Sequence, residues 1–487
     1  MAELIKIAVI TLFCLGLSGC YGMLPSAGGG KLTRLAETGE RALSPADIVL
    51  PPGYRIEAVA TGLTFPTGVA FDESGTPHVV EAGYSYGEVW TVPRLLRVER
   101  GSVTVVAAGG RNGPWTGVTR HAGSFYVAEG GELEGGGIIR IGDDGSMARI
   151  LEHLPTRGDH HTNGPAPGPD GWLYFGLGSA TNSAVVGEDN LKFGWLKRYP
   201  DYHDVPCADL KLRGENYITK DLLKGKGLAS TGAFMPFGTF SLPGEVVRGE
   251  VPCNGAVLRV SPSGGAPQLV AWGFRNPFGF AFSPEGNLYV TDNAYDKRGS
   301  RPVFGAGDVL WEVKQGTWYG WPDFSAGLPL DRGDQFKTPL QEKPRLLLAE
   351  YPNLPPGPAA VLPVHASANG LDFSRSEAFG HRGEAFVALF GDQSPGTGKV
   401  MAPVGFKVVR VDVKSGVVRD FAVNKGKRNG PSSALGTGGL ERPVAARFDP
   451  SGEALYVVDF GMLKETKKGS VPQQKTGVLW RITRDAL

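Results

Sequence analysis

Apolar positions along this chain gather in short runs, and one arrangement of them recurs. A small residue, or a Pro or Gly, leads into two or three apolar residues. A Gly-containing turn follows, then an apolar strand that ends near an acid. The copies are FPTGVAFDESGTPHVVEAG (Phe65 to Gly83), GPWTGVTRHAGSFYVAEGG from Gly113, NGPAPGPDGWLYFGLGS from Asn163, NPFGFAFSPEGNLYVTDNA from Asn276, ANGLDFSRSEAFGHRGEAFVALFGD from Ala368 and RPVAARFDPSGEALYVVDFG from Arg442. Each predicts two short strands joined by a hairpin, with DESG, GPDG, SPEG and DPSG placing Gly where positive φ is needed. Further strands follow most copies: GGIIRIGDDG, GAVLRVSPSG, GDVLWEVKQG, FKVVRVDVKSG and GVLWRITR. Six units of this kind predict an all-β fold, a six-bladed β-propeller of four-stranded antiparallel blades, because radial repetition buries sheet faces and protects edges. The last strand, GVLWRIT, either completes a blade begun near the N-terminus or follows the sixth copy directly.

Length and composition agree with this. A chain of 487 residues suffices for two or three average domains or one large all-β domain. Its 72 glycines are about twice the usual share, as many tight turns require. The propeller is assigned to residues 46–487. Spacing is uneven, and residues 183–252, which include DYHDVPCADLKLRGENYITKDLLKG, read as an insertion between blades. The formal net charge of +1, without a basic block, gives nucleic acid no footprint as a partner.

Residues 1–20 are a separate object. Ile7 to Leu17 is an apolar run too short to cross a bilayer, which takes about 20 residues, and it reads as a signal-peptide core. It ends in Leu17-Ser18-Gly19-Cys20, which resembles a bacterial lipobox. The resemblance implies export, lipidation of Cys20 and a periplasmic position on the outer membrane, since Tyr21 rather than Asp follows the cysteine. A plain secretory signal cleaved nearby is the alternative. Residues 21–45, rich in Gly, Ser and Ala, read as a flexible tether. Two cysteines then remain, Cys207 and Cys253. In an exported chain such a pair is most simply a disulfide, stabilising by about 4 kcal/mol in the chain-entropy model. Without Cys-x-x-Cys-His there is no attached haem, and His-Glu-x-x-His, phosphate-loop and dinucleotide motifs are also missing.

In a propeller, equivalent loops converge at the mouth of the central channel, where a ligand site is expected. The residues leading into each inner strand are therefore the ones to compare: Pro66-Thr67, Trp115-Thr116, then His160, His161 and Asn163, Arg275-Asn276, His365 and Asn369, and Glu441-Arg442. These lean cationic, which suits an anionic cofactor.

WGFRNPFGFAFSPEGNLYVTDNAYD, followed by GDVLWEVKQGTWYGWPDF, resembles the bacterial soluble quinoprotein glucose dehydrogenase and sorbosone dehydrogenase-like family, and DHHTNGPAPGPDGWLYFGLGSATN resembles its catalytic-histidine segment. The likeness spans roughly residues 50–483. It implies a six-bladed propeller that uses pyrroloquinoline quinone (PQQ) and Ca²⁺ to oxidise a sugar, with electrons leaving to a separate acceptor, a cytochrome or a quinone. The chemistry suits these residue types. PQQ carries three carboxylates that call for Arg or Lys, and an imidazole can take the hydroxyl proton. By the resemblance the base is His160, or His161 if the loop differs by one. Arg275 faces the reactive quinone carbonyls with Asn276 beside it, and Arg442 lies near cofactor and substrate. Lys399 pairs a carboxylate, and the carbonyls of Ala294 and Tyr295 hold calcium, with Asp292 and Asp308 close by as further donors.

Three features depart from the family. Ser179 stands where relatives carry an acid that supports the base, Pro165 and Pro167 interrupt an inner strand, and the insertion is large. Two other functions suit the same architecture. A calcium-dependent lactonase-type hydrolase calls for side-chain carboxylates and Asn around a central metal. A non-catalytic glycan- or protein-binding propeller leaves the arginines structural.

Overall fold

The computed structural model describes residues 38–85, 89–131, 134–338, 340–392, 401–466 and 469–485. The signal segment with Cys20, most of the tether, and Lys399 lie outside the described residues. Six antiparallel sheets follow one another along the chain. Their strands, from the axis outward, are Pro66–Phe71, Pro77–Glu81, Arg94–Glu99 and Ser102–Ala108 in blade 1, and Trp115–His121, Ser124–Glu129, Gly136–Ile141 and Met147–Leu154 in blade 2. Blade 3 has Thr162–Pro167, Leu173–Leu177, Ala256–Val260 and Gln268–Trp272; blade 4 has Pro277–Phe282, Leu288–Asp292, Gly307–Glu312 and Ala360–Val364. Blade 5 is Ala368–Phe373, Ala385–Leu389, Lys407–Asp412 and Val417–Asn424, with Ile48–Val49 added at its edge. Blade 6 is Pro443–Phe448, Ala454–Asp459, Gly477–Arg484 and, outermost, Tyr54–Leu63. Both readings of the last strand thus combine: it follows the sixth repeat, and the N-terminal strand completes the same blade. This pairing ties the chain ends together and closes the ring.

Burial explains the sequence pattern. The second strand of each blade is covered on both faces by its neighbours, and Leu173–Leu177, Leu288–Asp292 and Ala385–Leu389 are buried at every position. Such strands read as continuous apolar runs, whereas the outermost strands, such as Met147–Leu154, are buried at few positions and mixed in composition. The inner strands crowd the axis. A Cβ on Gly117 would lie 2.4 Å from the Gly164 carbonyl oxygen, and one on Gly279 would lie 2.3 Å from that of Asn369. Neither obstacle is a side chain that can turn away. Gly117→Ala and Gly279→Ala will each destabilise by about 1–3 kcal/mol, seen as a lower urea midpoint; unchanged midpoints would show that the axis has room.

Every inner strand also shifts register just after its start, at Pro66/Gly68, Asn163/Ala166, Pro277/Phe280, Ala368/Leu371, Pro443/Ala445 and, in blade 2, opposite Ala128/Glu129. Pro165 falls inside one of these bulges, so the proline that departs from a regular strand stands where the ladder is open in all six blades.

The long insertion, expected from the sequence to lie between blades, lies instead within blade 3, because its second strand Leu173–Leu177 and third strand Ala256–Val260 pair directly across it. It forms short helices at Glu188–Lys192 and Trp195–Arg198 and pairs Asn216–Lys220 with Leu228–Gly232. A disulfide joins Cys207 to Cys253, with their Cα atoms 5.1 Å apart. A second excursion, residues 313–359 of blade 4, was not anticipated from the sequence. Its Trp318, Trp321, Phe324, Leu347 and Leu348 share one core with Leu210, Leu212 and Phe234 of the insertion.

Candidate active site

Because the blades are antiparallel, the start of each inner strand and the end of each second strand lie on one face. The repeat's terminal acid works there. Asp292 accepts the backbone N–H of Asn276 at 2.7 Å and of Arg275 at 3.2 Å, and the indole N–H of Trp311 at 3.3 Å. In blade 6, Asp459 does the same for Arg442 (2.8 Å), Glu441 (2.9 Å) and Trp480 (3.3 Å). The acid and the third-strand Trp of the repeat thus hold the loop that enters the blade. Both oxygens of Asp292 are engaged in this way rather than turned toward a cation. Burial raises its pKa to about 6 against the pull of these hydrogen bonds. A pKa raised in the folded state means that the native protein binds more protons here than the unfolded chain, so this group lowers stability as pH rises from about 4 to about 6. The stability difference between wild type and Asp292→Asn, followed by denaturation across that interval, will show this slope; a flat difference would refute it.

The clamped loop presents Arg275 and Asn276 beside the histidine segment. A Cβ on Gly178 would lie 2.2 Å from the His160 Cβ and 3.1 Å from Asn276 Oδ1, so glycine there lets the two meet. His160 is buried, and its Nδ1 lies 2.8 Å from the Ser179 carbonyl and 3.1 Å from Ser179 Oγ. A carbonyl only accepts, so Nδ1 carries the proton and Nε2 keeps its lone pair. Burial, then Arg275 and Arg298, push the His160 pKa well below that of a free imidazole, while the bond to Ser179 and the charge of Asp296 oppose them. The ring is neutral near pH 7. His161 packs instead toward Gly130 of blade 2, and burial lowers its pKa to about 4. Of the two candidates, the structure sets His160 in the field of Arg275.

Arg275 is held in a buried network. It donates from Nη2 to Asp296 at 2.8 Å and to Asn182 Oδ1 at 3.1 Å, and from Nη1 to the Asn293 carbonyl at 3.3 Å. Asp296 also accepts from Arg298 Nε at 2.9 Å, and Arg298 reaches Asp159 and Asp189 at 2.6 Å each. Burial alone would raise Asp296, but Arg275 and Arg298 outweigh it and hold the carboxyl far below its ordinary range. His365, in the loop entering blade 5, places its buried Nε2 3.7 Å from Asp296, and that nitrogen has no hydrogen-bond partner among the described residues. Asn276 accepts from Asn163 at 3.1 Å and donates to Asn293 at 2.9 Å.

Asp308 accepts the N–H of Ala294 and of Ala368, each at 2.9 Å, so its oxygens are also engaged within the fold. Fixing the Ala294 amide leaves the Ala294 and Tyr295 carbonyls with no donor among the described residues. Arg442 is buried on the same face, but its guanidinium turns into the blade 5–6 seam. There it donates to the carbonyls of Gly391 and Asp392 at 3.2 Å and lies 5.1 and 5.0 Å from the ring centres of Phe390 and Phe406. The sequence reading did not assign Asn182, Asp296 or Arg298. The first two lie within quoted motifs, SATN and DNAYD, and their proximity across blades 3 and 4 is visible only once folded.

No protein-family model matches the chain and no curated protein matches it by sequence. Solved structures do. The holo PQQ domain of pyranose dehydrogenase from Coprinopsis cinerea aligns with a TM-score of 0.53 at 14% identity, over 93% of this chain and 100% of that one. The chain has the fold of PQQ-dependent sugar dehydrogenases. A putative oxidoreductase (glucose dehydrogenase) from Thermus thermophilus aligns at TM-score 0.50 and 18% identity, over 88% of this chain and 100% of that one. The apo soluble aldose sugar dehydrogenase of Escherichia coli aligns at 0.50 and 14%, over 88% and 99%. At such identities the likeness to these sugar dehydrogenases is one of fold, and the chemistry rests on the site itself.

Proposed function

We propose that this protein oxidises a sugar, an aldose or a sorbosone-like compound, with PQQ and Ca²⁺, and passes the electrons to a separate cytochrome or quinone. The observation that carries this reading is a neutral imidazole with Nδ1–H anchored and Nε2 unprotonated, set beside an immobilised, buried arginine. When bound, PQQ supplies a quinone that accepts hydride, and Ca²⁺ polarises the accepting carbonyl. The chain's own residues have the matching tasks. Arg275 and Asn276 would hold the cofactor, and Lys399, as the family resemblance implies, would pair one of its carboxylates, whereas the guanidinium of Arg442 is engaged in the seam between blades 5 and 6. The unengaged carbonyls of Ala294 and Tyr295 are hard oxygen donors suited to calcium. His160 Nε2 would take the hydroxyl proton of the sugar. The hydrolase alternative needs converging carboxylates, and among the described residues no three His, Cys, Asp or Glu side chains gather to hold a metal. Export with lipidation at Cys20, on the periplasmic face of the outer membrane, completes the proposal.

The test is reconstitution. Protein lacking residues 1–20, mixed with PQQ and Ca²⁺, will change the quinone absorbance stoichiometrically and reduce a redox dye when an aldose is added. Chelating the calcium will abolish the dye reduction. No binding at micromolar PQQ would remove this reading and bring the hydrolase forward.

A further inference from the structure

We infer that Asp204, supplied by the blade 3 insertion, is the carboxylate that positions His160, and that the Cys207–Cys253 clamp keeps it in place; its importance for turnover rests on the dehydrogenase reading above. Among the described residues, the turn Ser179–Thr181 alone supports the ring at Nδ1: His160 donates to the Ser179 carbonyl at 2.8 Å, with Ser179 Oγ at 3.1 Å. That turn is gripped from the insertion. Asp204 is 1% exposed, and its two oxygens accept the Ala180 N–H and the Thr181 hydroxyl, each at 2.6 Å. Ser179 Oγ donates to the Thr181 carbonyl at 2.6 Å, which turns its lone pairs toward Nδ1. Asp159, the residue before His160, donates its own N–H to the Ala180 carbonyl at 3.0 Å. The same three-residue turn therefore orients both residues of the Asp-His pair.

The other end of the turn is held by the other side of the disulfide. Asn254, next to Cys253, donates to the Gly178 carbonyl at 3.1 Å, and its Oδ1 accepts the N–H of Val205, next to Asp204, at 2.8 Å. The clamp thus brings Asp204 and Asn254 together against the loop, one on either side of Ser179. Two acceptors aimed at two donors explain why the position holds a carboxylate, since an amide offers only one. The largest charge effects on His160 come from Arg275, Arg298 and Asp296, and the hydrogen bonds of Asp204 go to the turn rather than to the ring. In this chain, then, the acid missing at Ser179 is replaced from a distance by the insertion.

The imidazole itself is the readout, in protein without cofactor. Histidine-labelled protein, with His160 assigned by comparison with His160→Gln, will show a single Nδ1–H tautomer by long-range proton–nitrogen correlation, resistant to titration where a free imidazole titrates. In Asp204→Ala, and more mildly in Thr181→Val, the second tautomer will appear and His160 will titrate closer to a free imidazole. Reducing the disulfide will act in the same direction. Once loaded with PQQ and Ca²⁺, Asp204→Ala will lose about tenfold or more in kcat with KM within about threefold. Should Asp204→Ala not fold, Thr181→Val decides, because it removes one bond and keeps the carboxylate and its contact with Ala180. An unchanged tautomer and titration in a folded variant overturns the inference. Failure of the dehydrogenase reading shows up separately, as wild-type protein that does not turn over.

Discussion

Under the proposed function, His160→Gln protein will bind PQQ as the wild type does and turn over about 10²- to 10⁴-fold more slowly, the range for loss of a positioned general base. Glutamine can keep a donor toward the Ser179 carbonyl, so the loop is preserved while the lone pair on Nε2 is lost. The loss will therefore fall on kcat, with KM little changed, and cofactor titration monitored by absorbance will be superimposable on that of the wild type. His161→Gln is the matched control. The His161 Cβ lies against Gly130 of blade 2, and burial alone accounts for the shift of its ring, so its replacement will leave the rate within a few-fold. The pH profile gives a second view. Because burial, Arg275 and Arg298 disfavour the imidazolium, the acid limb of kcat/KM will lie below the pH at which a free imidazole titrates. A His160→Gln rate within threefold of wild type would move the base elsewhere.

Arg301→Met or Asp323→Asn will destabilise the fold by about 3–5 kcal/mol, the range for breaking one side of a buried ion pair. The pair is 2.9 Å long, and the two side chains are 1% and 0% exposed. Arg301 also donates to the Pro322 carbonyl at 2.8 Å and to that of Arg345 at 2.9 Å, while Asp323 accepts the N–H of Leu347 and Leu348, each at 2.9 Å. Removing one partner strands the other charge where water cannot reach it. The pair fastens the 313–359 excursion to the loop that follows Ala294, Tyr295 and Asp296, so under the proposed function calcium and cofactor binding will weaken along with stability. Denaturant midpoints with an unchanged m-value measure the loss. The double variant Arg301→Met/Asp323→Leu will recover only part of it, since no buried charge is left unpaired but the Leu347 and Leu348 N–H groups and the Pro322 and Arg345 carbonyls lose their partners. A single variant within 1 kcal/mol of wild type would show that water reaches the pair.

The six blades were legible in the chain because a propeller repeats one hairpin, and burial on both faces writes each second strand as an apolar run, closed by an acid in most blades though not in blade 3. The loops bearing His160, Arg275, Asn276 and Arg442 were legible for the same reason, being the repeat-equivalent entries to the inner strands. Tertiary structure alone settled how those residues are used. The periodic pattern marks Asp292 and Asp459 as recurrent but cannot say that they clamp the loop entering their own blade. Side-chain direction in a loop has no periodicity, so only folding separates His160 from His161 and turns Arg442 into the seam between blades 5 and 6. Asp296 with Arg275 and Asp204 with the turn at Ser179 are pairings between separate loops of one blade, and Asp296 with His365 and the insertion with residues 313–359 are contacts between blades. Local propensity carries no record of such contacts, because hydrogen-bond partners and desolvation are properties of the packed fold and not of the neighbouring residues.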